Sequence, residues 1–505
     1  MKKTTSRMII VVSGLWFLFA LTILPSGLVI ANSNYISIAP SGDVTGQTDW
    51  MNIQNAFDTV SGVSEAVIEL VAGTFYIHQS ILGINFAGHF KGAGKDVTII
   101  ETVTPLGYFP LIDDPNGFLT GLPGGMYFYH DQNSPSTKLT PSTLSFSDFS
   151  LHIRGKSELW GSHGEEPLYD AFNGLSVFGK FTGIEDDEVS YLNVNFERLG
   201  IEGEISDDFY WGFNGLNGIQ FGGEYISVLQ DDGLFVYYVK TIIGNFSVRD
   251  CTFSDIFWST TGNGVFQDST ILFEENSFDT TIGAITVADF SNSNVKISHN
   301  DMTDVWAAGT WVIQAMQSVL GWDLGPYGPL PELSSVLINH NTIRGINTAD
   351  GVILEDWAFI FGEKTLDVLV SQNTIILDST YGGIYGLGVQ EAIITNNRIS
   401  GIGFSGIYCG FGDLSTNWMI KGNNVQEFNA QPTLWWWEGD SAPIILGWTT
   451  YSCTVVGGSS KTNVLDFGID NYITGVNTIQ GNPPGQDIQE AMHHKRDLVQ
   501  SMRYI

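Results

Sequence analysis

Four carboxylates, Asp268, Asp289, Glu355 and Asp356, stand at the ends of short glycine-led apolar runs. Two carboxyls facing each other across a groove can serve as the acid and base of glycoside cleavage, and a gap of roughly 6.5–9.5 Å admits the attacking water. If residues alternate inward and outward, with Val265, Ala284, Val352 and Ile384 inward, then Phe266, Ile353, Tyr385 and Tyr408 point outward and the acids close each run. Asp268 and Asp289 then fall on adjacent turns of chain. Asp289 lies two turns from Glu355 and Asp356, roughly 10 Å at ordinary strand spacing. These four are the candidate catalytic residues. Trp357 follows directly, and Trp435, Trp436 and Trp437 stand together in a long segment between apolar runs. Flat aromatic faces stack on sugar rings, so these four tryptophans are the candidate substrate-binding residues, with Trp418 and Trp448 close in chain order. The competing role for some of them is to plug the end of a core.

Other acids invite a different chemistry. Asp113-Asp114, Asp186-Asp187, Asp207-Asp208 and Asp231-Asp232 are paired in loop-like surroundings. With Lys240 or Arg249 as base, Asp231 and Asp232 have the composition of a calcium-dependent lyase site, although loop acids are more often simply solvated. No motif requires a cofactor, calcium is the ion these acids would suit, and no metal ligand set can be assigned. His493 and His494 are adjacent on an expected helix and do not face one way. Cys251, Cys409 and Cys453 leave room for one pair at most, and in apolar runs a free cysteine behaves as a small buried hydrophobe.

Charge narrows the partners. The chain carries a net charge of −33 at pH 7, with 21 Lys and Arg against 54 Asp and Glu. A polyphosphate needs a basic stripe to displace its counterions, so nucleic acid is excluded as a partner. At the N-terminus, Lys2, Lys3 and Arg7 precede an apolar run from Met8 to Leu24, then Pro25, Ser26 and Gly27. This is the pattern of a signal peptide over residues 1–31 with cleavage after Ala31, which places the protein outside the cell or on its surface. The alternative is an uncleaved anchor, and with cleavage no membrane span remains. Oligomeric state is not readable.

The elements that must position these residues come from a repeat. An apolar–x–x–Asn–x–apolar motif recurs as Ile297 to Met302, Ile338 to Ile343, Val370 to Ile375 and Ile394 to Ile399, with key residues Asn300, Asn341, Asn373 and Asn397. Asn276 and Asn424 continue the series, and Cys251 takes the asparagine's place in an earlier copy. Glycine-led runs follow most copies in fixed order, as at Gly283, Gly351, Gly383 and Gly406. Coils of parallel strands stacked at about 4.8 Å account for that order, with the asparagine bonding its neighbours at a sharp corner in left-handed backbone.

Near the start, residues 42–57 (GDVTGQTDWMNIQNAF) read as a helix beginning at Asp49, with Ile53, Ala56 and Phe57 turned inward to plug the first coil. Val67 to Ile77 and Gly92 to Ile99 follow as strands with Gly-Thr and Gly-x-Gly turns. On these motifs the chain resembles the right-handed parallel β-helix proteins of the pectin lyase-like superfamily. The resemblance implies an all-β solenoid over residues 34–478 with an N-terminal capping helix. Residues 479–505 hold a Pro/Gly break and a helix over Asp487–Met502. Segments at Gly155–Asp170, Ile201–Gly215 and Trp322–Glu332 are expected as insertions walling a groove.

For activity the resemblance is broad, since the superfamily holds polysaccharide hydrolases, lyases, epimerases and non-catalytic surface proteins. The Asn-Thr-Asp, Asp-Asp, His-Gly and Arg-Ile-Lys signatures of polygalacturonases do not occur here as an ordered set. The expectation is an exported protein that binds polysaccharide or a cell-surface glycan, as a hydrolase, a lyase, or a non-catalytic surface or adhesion protein on the same solenoid.

Overall fold

The computed structural model describes residues 28–480, leaving aside 33, 104–123, 131–141, 155–171, 180–188, 205–214, 224, 230–234, 307–310, 318–331, 347–349, 357–363, 380, 411–414, 432–440 and 459–461. The expected signal peptide run, the C-terminal helix and most of the three expected insertions lie outside the described residues.

The apolar alternation of each short run buries one side chain in two, and three such runs close a coil. Thr270–Glu274 lies in one sheet (A), Ser277–Asp279 in the next (B) and Gly283–Ala288 in the third (C); Asn294–Ser298 then returns to sheet A. Sheets A, B and C hold 18, 11 and 13 strands, paired in parallel with the coil before and after. The chain is a right-handed parallel β-helix. Two pairings among the described residues are antiparallel. Leu28–Asn32 folds back on Tyr35–Ile38, covering the exposed edge of the first coil, and Tyr225–Leu229 pairs with Phe235–Val239 as a hairpin. Ala31, where cleavage was expected, lies within the first of these strands.

The core is a column of stacked apolar layers. Phe146 lies over Phe196 at 5.4 Å between ring centroids, Phe221 over Phe246 at 5.3 Å and Phe253 over Phe278 at 4.9 Å. All six rings are buried, each worth about 1.5–3 kcal/mol of hydrophobic stabilisation. The three cysteines are buried thiols, Cys409 and Cys453 with their sulfurs 3.7 Å apart.

At the corner from sheet A to sheet B the asparagines form a ladder. Each amide donates to the side-chain oxygen one coil on, from Asn276 to Asn300 (3.0 Å), Asn300 to Asn341 (2.9 Å), Asn341 to Asn373 (3.0 Å), Asn373 to Asn397 (2.9 Å) and Asn397 to Asn423 (2.9 Å). Two expectations are corrected here. The ladder ends at Asn423 and not Asn424, which is exposed. The left-handed backbone belongs to the residue before each asparagine: Glu275, His299, His340, Gln372, Asn396 and Gly422. The preceding residue makes the turn, so the asparagine is free to aim its amide along the axis.

The capping helix, α1 (Gln47–Val60), buries Ile53, Ala56 and Phe57 as expected and starts two residues earlier than Asp49. Asp43 explains the earlier start. It accepts from the backbone N–H and hydroxyl of both Thr45 and Thr48, which hold its carboxyl well below the usual range. Asp49 is buried instead and accepts from the N–H groups of Ser41 (2.8 Å) and Tyr76 (3.0 Å), tying α1 to the first coil.

Candidate functional site on the outer face of sheet C

In sheet C the inward row runs Ile219, Thr260, Ile285, Ile313, Val352, Ile384, Ile407 and Ile444, each against its counterpart one coil away. The next residue of each strand points outward and forms a second column in the same register. It begins Leu82 and Tyr127, runs through Ser176, Gln220, Thr261, Thr286 and Gln314, and continues Ile353, Tyr385, Tyr408, Ile445, Leu465. The outer face thus changes character part-way along. After Leu82 and Tyr127 come five uncharged hydrogen-bonding side chains on consecutive coils, spanning four strand spacings or about 19 Å. Gln220, Thr286 and Gln314 are half-buried, while Ser176 and Thr261 are buried and the Thr261 hydroxyl donates to Asn217 (3.0 Å). The stretch beyond Gln314 is apolar and aromatic.

The boundary is an aromatic wall. Trp311 stacks on Tyr381 at 5.8 Å and an interplanar angle of 19°, and packs against Tyr385 at 4.8 Å. Tyr385 meets Tyr408 at 5.3 Å and donates its hydroxyl to the Tyr381 carbonyl at 2.5 Å. Burial pushes the Tyr385 hydroxyl well above its ordinary value, so it stays protonated and keeps that bond. Trp311 and Tyr381 remain half-buried, open enough to present ring surface.

Asp350 builds this wall. It pairs in register with Trp311, and its Oδ1 accepts the N–H groups of Tyr381 (2.7 Å) and Gly382 (3.0 Å). Gly382 is required at that corner. Its φ is 141°, and a Cβ there would stand 1.7 Å from the Ser405 carbonyl oxygen. Partial burial, with the Asp350 charge adding to it, raises the Tyr381 hydroxyl above its ordinary value.

The four sequence-derived acids sort into two places. Ala288 pairs with Met316 and Gln317 with Asp356, so Asp289, Gln317 and Asp356 follow one another at the edge of sheet C, the two acids about 10 Å apart over two spacings. Both acids are buried. Asp289 donates its N–H to the Met316 carbonyl (2.9 Å), and Asp356 accepts from the Thr365 hydroxyl (2.7 Å). Glu355 is half-buried beside them on the outward face, between Met316 and Leu387. Asp268 is exposed on the neighbouring corner. It accepts from the Asn292 amide and lies in register with Asn292, three residues past Asp289.

Trp357 and Trp435, Trp436 and Trp437 lie outside the described residues, as do the four Asp-Asp pairs. Trp418 is core: fully buried, with its indole N–H on the Val389 carbonyl at 2.9 Å. Trp448 packs against the aromatic cluster. Phe266, expected outward, is also core, because its short strand lies at the corner beyond sheet C and reverses the alternation. Arg249 faces Glu274 at 3.8 Å, and Lys240 is buried. Among the described residues no three His, Cys, Asp or Glu side chains come together to hold a metal ion. Sequence reading missed Trp311, Tyr381 and the polar column. The i, i+4 pair Tyr381 and Tyr385 was a signal for the wall, but nothing local marks the column.

No family model matches the chain, and no curated protein matches it. Solved structures of similar shape are β-helix proteins. A mannuronan C-5 epimerase A-module of Azotobacter vinelandii is 12% identical, covering 86% of this chain and 96% of its own, with a TM-score of 0.46. DFA-IIIase of Arthrobacter chlorophenolicus is 12% identical over 90% of this chain and 100% of its own, at 0.47. A periplasmic alginate epimerase is 10% identical over 91% and 82%, at 0.37. At such identities the likeness concerns the fold alone.

Proposed function

We propose that this is an exported polysaccharide-binding protein whose ligand lies along the outer face of sheet C. The observation that carries this reading is the outward column itself: the half-buried Gln220, Thr286 and Gln314 in one register, ending against the half-buried rings of Trp311 and Tyr381. Amides and hydroxyls exchange hydrogen bonds with sugar hydroxyls, and an aromatic face covers the C–H side of a pyranose or furanose ring. A repeating ligand suits a repeating floor. Export is supported by the basic flank, apolar run and small-residue site of the first 31 residues.

Cleavage of the bound chain is the second reading, favoured by the approach of Asp289 and Asp356 to about 10 Å beside Glu355. Affinity electrophoresis of the purified protein in gels containing a panel of polysaccharides tests binding. Retardation by one or more polymers, lost in Trp311→Ala, is the expected result. Migration unchanged by every polymer, with circular dichroism showing a folded β protein, would refute it. Release of reducing ends from the retained polymer would mark a hydrolase, near-ultraviolet absorbance of unsaturated ends a lyase, and neither a non-catalytic binder.

A further inference from the structure

The charges on this face define which polysaccharides it can take. The thirteen strands of sheet C contain no lysine or arginine. Their charged side chains, apart from His130, are Asp350, Glu355, Asp356 and Asp466. Among the described strands, cations occur on the other two sheets: Lys91, Arg249, Lys296 and Lys421 on sheet A, and Arg344 and Arg398 on sheet B; of those in connections next to sheet C, Lys240 is buried and Lys364 is matched to Asp367 (3.3 Å) and Glu391 (2.8 Å). Several of these are already matched, Lys91 to Glu69 (3.6 Å), Lys296 to Glu274 (2.8 Å) and Arg398 to Glu427 (2.9 Å).

We infer that the ligand of the sheet C face is an uncharged polysaccharide, and that polyuronates and sulfated glycans are rejected there. The inference rests on the binding role proposed above and narrows it. A uronate polymer carries a carboxylate on every sugar. Laid on Gln220, Thr286 and Gln314 it would meet no cation among the described residues of the sheet C strands, and it would approach Glu355 at the aromatic end. The cations of sheets A and B belong to other faces of the coil, and at physiological ionic strength charge is screened over roughly 8 Å. The net charge of the whole chain, −33, adds to the repulsion as such a polymer approaches. Like charges brought together across an interface cost several kcal/mol and suppress the wrong partner, so the bare face selects by exclusion. The half-buried Gln220, Thr286 and Gln314, by contrast, can both donate to and accept from sugar hydroxyls.

The test is affinity electrophoresis of the full-length protein against two sets of polymers, neutral (β-glucan, xylan, galactomannan, fructan) and uronate (alginate, polygalacturonate). Each is run with a chelator and with added calcium, at low and high salt. The expected result is retardation by a neutral polymer that persists at high salt and weakens by a factor of about 2 to 10 in Trp311→Ala, with no retardation by either uronate in any condition. Uronate binding with chelator present, or binding that appears only with calcium, would overturn the inference while leaving a glycan-binding face in place. Loss of retardation by every polymer in both sets would instead overturn the binding role, and the inference with it.

Discussion

Replacing Asn341 by alanine tests the ladder that holds the coils in register. Its Oδ1 accepts from the Asn300 backbone N–H (3.0 Å) and side-chain amide (2.9 Å), while its Nδ2 donates to Asn373 Oδ1 (3.0 Å) and the Ile297 carbonyl (2.9 Å). Truncation strips both Asn300 donors of their partner in a buried corner and takes one bond from each of two acceptors. An orphaned buried donor costs about 1–3 kcal/mol, so the two together set an expected loss of about 3 kcal/mol, reduced where water can enter. Asn424→Ala is the matched control. That residue is exposed, its Oδ1 accepts only a long contact from the Gln426 N–H (3.3 Å), and its loss is expected to change stability by less than about 0.5 kcal/mol. Urea unfolding followed by tryptophan fluorescence and far-ultraviolet circular dichroism gives both values. Each coil touches only its neighbours, so faster amide exchange is expected in the coils of Asn300 and Asn373 before distant ones. A loss below about 1 kcal/mol for Asn341→Ala, or equal losses for the two variants, would refute the ladder's role as a structural spine.

Three further outcomes follow from the geometry. Trp311→Ala removes the ring facing Tyr381 and should weaken polysaccharide binding by a factor of about 2 to 10, on a stacking contribution of about 0.5–1.5 kcal/mol, with an unchanged circular dichroism spectrum; isothermal titration reads it. Arg198 donates two bonds to Asp148 (2.7 and 3.0 Å) and holds its carboxyl below the usual range. A lowered folded pKa means stability that is present above the unfolded value of about 3.9 and lost as pH falls through the folded one. Because both side chains are partly exposed, Asp148→Asn should cost under about 1 kcal/mol at neutral pH, with the gap to wild type closing in acid, as thermal melts across pH will show. Finally, Cys251, Cys409 and Cys453 are buried, and burial pushes the Cys251 thiol up to about 12. A thiol reagent should label none of them in the native protein and all three in denaturant; rapid native labelling would contradict their placement in the core.

The solenoid was legible because its signals are local. An asparagine at a fixed place in a short apolar motif, and a glycine opening the next run, recur whatever lies between. The one slip in the ladder has a local cause as well. Two asparagines stand side by side there, and the motif's spacing selects Asn423, three residues after Ile420 and two before Val425, with Gly422 taking the left-handed turn before it. The binding face was far less legible. Gln220, Thr261, Thr286 and Gln314 become neighbours only through register, and register depends on how many residues each coil spends in its loops. Ladder asparagines one coil apart are separated by 24, 41 or 32 residues in the chain. Phe266 failed for a related reason: alternation predicts a side chain's direction along one strand, and a corner between strands resets it.

The coil that runs from Asn276 to Asn300 takes 24 residues and contributes one outward residue, Thr286, to the face. The site is therefore graduated like a ruler, in marks of about 4.8 Å. Duplicating or excising such a coil would lengthen or shorten the strip by one mark, while the spine and core on either side keep the same pattern of contacts. Ligand length and fold stability are thus written in the same unit of chain, and a lineage could adjust the first by whole coils without redesigning the second.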